Sequence, residues 1–125
     1  MKQCETVPFG YWQHGLHDAK VLSICEKSCE PDWKAPLPVY NSLEIHLDSS
    51  GALYETDITT IKLLNYKWKS EPLNMADYPE LWWEQDTLSC LPSGMFSLEI
   101  ILQAPKKLRA VMQIEFACAE LERKP

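Results

Sequence analysis

Residues 96–118, FSLEIILQAPKKLRAVMQIEFAC, decide the fold of this chain. Apolar side chains recur at every second position on both sides of the central APKK, and this is the repeat of a strand whose successive side chains point to opposite faces. The apolar positions are Phe96, Leu98, Ile100 and Leu102 before the turn, and Leu108, Ala110, Met112, Ile114, Phe116 and Cys118 after it. The pattern predicts an antiparallel hairpin that turns at residues 104–107 and buries one face.

The rest of the chain shows weaker strand patterns. A second hairpin is predicted over residues 43–58, because apolar and polar residues alternate around the turn sequence DSSG. Residues 17–27 and 59–68 fit either a helix or a strand, and their β-branched residues favour the strand. In residues 5–13 the alternate positions Val7, Phe9 and Tyr11 predict a short strand, and Pro8 either weakens this prediction or makes it an edge strand. Pro79 is typical of the first position of a helix, which predicts a short helix over residues 79–84.

Length and composition predict one globular domain over residues 1–125. The chain has 125 residues, 46% of them hydrophobic, which is enough for a packed core. Together with the local patterns, this predicts an α+β fold: a mostly antiparallel sheet, sandwich- or barrel-like, with one or two short helices.

The charge balance limits the classes of partner. Twelve Lys and Arg against 18 Asp and Glu give a net charge of −6, which disfavours nucleic acid and anionic membranes and favours a basic protein partner. The first residues contain no apolar signal region, so a cytoplasmic protein is predicted. The odd number of cysteines, five, predicts reduced thiols.

Two patterns could carry chemistry. His14, His17, Cys25 and Cys29 are zinc-ligand types, but seven residues separate the two pairs in an unusual order, so no metal is predicted. A Cys–His pair would be the basis of a small hydrolase. The chain lacks Gly-x-Ser-x-Gly and glycine-rich phosphate loops, so neither enzyme activity nor a cofactor is predicted.

Residues 77–86, DYPELWWEQD, place two adjacent tryptophans among acids. Neighbouring residues on a helix do not face the same way, so one tryptophan is expected in the core and the other at the surface. An exposed aromatic rimmed by charge is typical of a binding hot spot. The predicted partner-binding residues are Asp77, Tyr78, Glu80, Trp82, Trp83, Glu84 and Asp86. The commoner alternative is that both tryptophans are core and the acids form a solvated face.

These observations predict a non-enzymatic binding protein, more specifically a small acidic inhibitor of the immunity or antitoxin kind that caps a basic protein. Three alternatives remain open: a barrel or sandwich that binds a small ligand, a zinc-stabilised module, and a small hydrolase with a Cys–His pair.

Overall fold

The computed structural model describes residues 2–5, 12, 15–52 and 56–124, with the backbone alone for residues 2–5. These residues form one antiparallel sheet with the strand order β1-β9-β4-β3-β2-β6-β7-β8-β5. The strands are β1 (Lys2–Glu5), β2 (Lys20–Ser28), β3 (Asn41–Asp48), β4 (Ile58–Leu64), β5 (Lys67–Trp68), β6 (Trp82–Cys90), β7 (Phe96–Gln103), β8 (Arg109–Phe116) and β9 (Cys118–Arg123).

Two strands continue across a bend and close the sheet. Leu64 of β4 pairs with Cys118 of β9, and Lys67 of β5 pairs with Glu115 of β8, so one register runs through both interruptions. β4–β5 and β8–β9 are therefore two long bent strands that lie side by side. β8 also pairs with β7, so the strand pairings run from β8–β9 through β7, β6, β2 and β3 back to β4–β5. The closed sheet encloses the core.

The predicted α+β class is wrong. The helical turns among the described residues are two three-residue 3₁₀ segments, Met75–Asp77 and Pro105–Lys107, so the fold is antiparallel β. The helix predicted at residues 79–84 is replaced by the start of β6. The main chain of Trp83 exchanges hydrogen bonds with residues 18 and 19, and this pairing with a distant segment overrides the local helix signals.

The decisive hairpin is confirmed. β7 and β8 pair from Phe96↔Phe116 to Gln103↔Arg109, and the turn contains Pro105–Lys107. The five side chains expected in the core are at most 1% exposed: Leu98, Ile100, Met112, Ile114 and Phe116. Leu108 is 58% exposed, and beyond Phe116 the buried face passes from Cys118 to Ala119. The change occurs at Ala117, which lies in the bend between β8 and β9 and donates its N–H to the Leu64 carbonyl.

Three other predictions can be compared with the structure. The strand preference for residues 17–27 and 59–68 is confirmed by β2 and by β4–β5. The hairpin predicted over 43–58 is confirmed in its first arm, β3, and wrong in its second: β3 pairs with β4 from Ser42↔Leu64 to His46↔Thr60, so the returning strand begins only at Ile58, and residues 53–55 lie outside the described residues. The edge strand over 5–13 also falls mostly outside them. In the described part of the chain, every helical segment is too short to cross a bilayer.

Candidate functional site

The two tryptophans of residues 77–86 lie in different environments. Trp83 is 1% exposed, packs edge-on against Trp12 with ring centroids 6.4 Å apart, and donates its indole N–H to Asp86 at 2.7 Å. Trp82 points outward beside Gln103 and is half-buried. The expected division between core and surface holds, although alternation along a strand produces it instead of a helix.

The acids of this segment have varied surroundings. Glu80 lies 3.3 Å from the ammonium of Lys20, and Glu84 lies 3.0 Å from the guanidinium of Arg109. Asp86 is buried and accepts the hydrogen bond from the indole N–H of Trp83. Asp77 is exposed and Tyr78 half-buried in the connection before β6. The segment therefore does not form one continuous acidic rim.

Glu26 occupies an unusual position that the sequence did not single out. Cross-strand pairing aligns it with Leu43 of β3 and Leu63 of β4, both of which are fully buried. Partners in such a row point to the same face of a sheet, so Glu26 lies on the inward face. It is exposed because β2 reaches the open end of the closed sheet there. A carboxylate at this position is available to a ligand that approaches that end.

Two aromatic donors orient this carboxylate. The Tyr66 hydroxyl donates to Glu26 Oε1 at 2.7 Å, and the Trp68 indole N–H donates to the same oxygen at 2.8 Å. Among the described residues, none donates to Oε2. We refer to Glu26, Tyr66 and Trp68 as the Glu26 corner. A carboxylate beside two aromatic rings is chemically suited to a cationic group.

Two asparagines build the bend that delivers these aromatics. Asn65 has a left-handed φ of 54°, which asparagine adopts more readily than most residues. Its side chain accepts from the Tyr40 N–H and donates to the Pro38 carbonyl, each at 2.9 Å. The Asn41 side chain accepts from the Tyr66 N–H at 2.9 Å and donates to its carbonyl at 3.3 Å. The bend shifts the alternation of the strand, so that Tyr66 and Trp68 reach Glu26.

The Tyr66 hydroxyl is held in its neutral form. Burial, followed by the hydrogen bond to Glu26 and the charge of that carboxylate, raises the pKa of Tyr66 to about 12. A phenol with the ordinary pKa of 10.0 is already a donor at physiological pH, so the raised pKa extends this donor state, and the hydrogen bond to Glu26, to more alkaline pH.

A second ionic cluster lies on the outer face of β2, β3 and β4. The Glu44 carboxylate is buried 3.0 Å from the Lys27 ammonium and 3.4 Å from the His46 ring. Burial alone would raise the pKa of Glu44, but the Lys27 hydrogen bond and the charges of Lys62, Lys27 and His46 outweigh it and lower this pKa. The cluster neutralises its own charge, so it is better explained as a structural element.

The zinc-ligand residue types considered in the sequence do not lie together where they are described. Cys25 lies on β2 and Cys29 just beyond it, and a span of four residues along a strand is roughly 13 Å. His17 contacts the Glu84 carbonyl and Cys29 donates to the Val39 carbonyl. His14 lies outside the described residues, and within them no three metal-ligating side chains form a site. Of the five cysteines, the described ones are reduced thiols: Cys25, Cys29, Cys90 and Cys118.

Sequence reasoning missed Glu26 because a β-bulge sets its direction. Between Val21 and Ser23 the pairing with β3 shifts by one residue, so the inward positions become Ile24 and Glu26. Alternation counted from buried Val21 would instead place Cys25 inside. The available signal was Leu22, Ile24 and Glu26 at every second position, a stripe that ends in an acid.

Comparison with known proteins gives no further guide: no protein-family model, curated protein or solved structure matches this chain.

Proposed function

We propose that this chain is a non-enzymatic, cytoplasmic binding protein that caps a basic protein, and that a lysine or arginine of this partner docks at the Glu26 corner. The observation that carries the proposal is the Oε2 of Glu26, which accepts from no described residue and lies at the open end of the sheet beside Tyr66 and Trp68. The net charge of −6 would steer a basic partner toward the chain and increase its association rate.

The proposed partner surface extends over neighbouring connections. β2 ends, β3 begins and β4 ends at the same end of the sheet, because the antiparallel registers align Lys27, Ser42 and Leu64. The connection between β2 and β3 at this end carries the exposed acids Glu30 and Asp32, and its Trp33 is 76% exposed. Asp77 and Tyr78 from the predicted partner-binding segment are left out of this surface, because their connection runs on to Trp82, which pairs with Lys20 at the opposite end of β2. Trp82 lies beside Lys106 and Lys107, so we place the basic partner away from it.

The test uses a carboxylate-to-amide change that preserves the shape of the corner. Wild-type protein and Glu26→Gln are used to capture partners from native lysate at low and high salt, and each partner identified by mass spectrometry is then purified and titrated directly. The amide oxygen of the substituted side chain still accepts from Tyr66 and Trp68, so loss of affinity reports the lost charge. We expect a basic partner to bind the variant about thirtyfold more weakly, which corresponds to roughly 2 kcal/mol.

Glu99→Gln is the matched control. Glu99 accepts a hydrogen bond from the Gln113 side chain on the outer face, so this variant removes the same charge away from the corner. It should change the association rate slightly, with an effect that fades as salt rises. Equal loss of affinity in both variants would leave net charge alone as the cause, and unchanged affinity in Glu26→Gln would exclude the corner.

A further inference from the structure

A second candidate site lies where β2 meets β6. The two strands share one paired position, Lys20↔Trp82, and the ladder beside it is short. The adjoining turns leave an open depression of about 530 Å³, which we call the Trp82 depression. Its lining includes Asp18, Trp82, Gln103, Lys106 and Lys107. This volume falls within the range of small-molecule sites.

The lining combines an aromatic surface with an excess of positive charge. Trp82 is half-buried, so part of its indole faces the space, and Gln103 adds an amide beside it. Lys106 and Lys107 are exposed at the edge, opposed by the carboxylate of Asp18. The Asp18 carboxylate lies 3.7 Å from the His17 ring. In a chain of net charge −6, this local cationic excess favours an anion.

The backbone holds the two lysines in a defined arrangement. Lys106 and Lys107 have φ values of 64° and 62°, and Asp18 has a φ of 70°. Left-handed φ is uncommon outside glycine, and three of the four such residues in the described part of the chain line this depression. The turn is closed by a hydrogen bond from the Ala104 N–H to the Leu108 carbonyl at 2.8 Å. Lys106 and Lys107 therefore lie in a hydrogen-bonded turn at the edge of the Trp82 depression.

We propose that the Trp82 depression binds a small aromatic anion: a planar ring that stacks on Trp82 and carries a carboxylate or phosphate toward Lys106 and Lys107. A hydrogen-bond donor on the ring would face Asp18, whose carboxylate would otherwise repel the ligand. This site is separate from the Glu26 corner and does not depend on the proposed basic partner.

The test titrates ¹⁵N-labelled protein with four probes and follows amide and indole shifts. 4-Aminobenzoate and 4-aminophenyl phosphate have the ring, the donor and the anion, 4-aminobenzamide lacks the charge, and acetate lacks the ring. We expect saturable shifts at residues 103–108 and at the Trp82 indole with the first two probes, and much weaker binding of the others. Trp82→Ala should weaken binding roughly tenfold and Trp82→Phe less, because an aromatic face is retained.

The charge contribution has its own variants. Lys106→Gln and Lys107→Gln should each weaken binding up to about fivefold, the range of an exposed ion pair. Lys34→Gln, in the connection between β2 and β3, is the control and should change nothing. The proposal is overturned if no ring-bearing anion saturates below about 10 mM, a level at which binding is worth under about 3 kcal/mol. Equal affinity for the benzamide, or shifts mainly outside residues 103–108 and Trp82, would also contradict it.

Discussion

The Glu26 corner and the Trp82 depression are both built around an aromatic ring, but the charge beside the ring has opposite sign. At the corner, Tyr66 and Trp68 hold a carboxylate. At the depression, Trp82 lies with Lys106 and Lys107. Both places use the same sheet, and in both an irregularity in a strand or turn selects the side chains that are presented.

This difference shows that the net charge of −6 does not predict the local charge at either the Glu26 corner or the Trp82 depression. It influences the long-range approach of a partner, whereas contact depends on the few charges that the register brings together. Glu80 and Glu84 illustrate the point, because Lys20 and Arg109 lie against them. A run of acids in the sequence is therefore a poor guide to an acidic surface.

The largest effect is expected from disrupting the buried core of the sheet, which supports both the Glu26 corner and the Trp82 depression. Ile114 is fully buried and pairs with Trp68 on one side and Leu98 on the other. Ile114→Asp should unfold the protein, because an unpaired buried charge costs several kcal/mol against a total stability of about 5–15 kcal/mol. Circular dichroism and thermal melting measure this. A variant that melts like wild type would contradict the assignment of Ile114 to the core.

Substitution of the two tryptophans should distinguish a core residue, Trp83, from a residue of the Trp82 depression, Trp82, by the loss of stability. Trp83→Ala removes a fully buried ring and its bond to Asp86, so we expect a loss of about 3–5 kcal/mol in the free energy of unfolding. Trp82→Ala should cost under about 1 kcal/mol, since Trp82 is half-buried on the outer face. Urea unfolding of both variants gives the comparison, and similar losses would make Trp82 a core residue.

The sequence predicted what regular alternation controls. Residues 96–103 and 109–116 alternate regularly on either side of the turn, so their strands and buried side chains could be predicted. Residues 79–84 were misread, because Pro79 and its acids are local signals, whereas the main-chain hydrogen bonds of Trp83 with Asp18 and Ala19 join residues far apart in sequence. Glu26 was missed for a similar reason, since the bulge after Val21 is defined by pairing with β3.

Substitution of Asn65 should change the structure of the Glu26 corner and leave the Trp82 depression unchanged. Its buried side chain bonds Tyr40 and Pro38, so Asn65→Ala should cost about 2–4 kcal/mol through the lost hydrogen bonds and the left-handed φ. Asn65→Gly loses the same bonds but permits that φ, so it should cost about 1 kcal/mol less than the alanine variant. Urea unfolding measures both costs, and ¹⁵N spectra should show shifts around Tyr66 with none at residues 103–108. Equal shifts in both regions would mean that the corner and the depression are not structurally independent.

The smallest effect is a change in one pKa at the Glu26 corner. Burial comes first among the causes that raise the pKa of Tyr66 to about 12, and the Glu26 hydrogen bond and charge follow. Glu26→Gln removes the charge and leaves the burial, so the pKa of Tyr66 should fall but stay above its ordinary value of 10.0. A raised folded-state pKa gives stability that is complete below the unfolded-state value and is lost as pH rises through the folded-state value. In wild type this loss should extend from pH 10 to about pH 12, and in Glu26→Gln it should end at lower pH.

Tyrosinate absorbance, taken as the difference between each protein and its Tyr66→Phe partner, isolates this phenol from the other four tyrosines. Glu99→Gln should leave the titration unchanged. A titration that is also unchanged in Glu26→Gln would mean that burial alone controls this phenol and that the carboxylate does not couple to it.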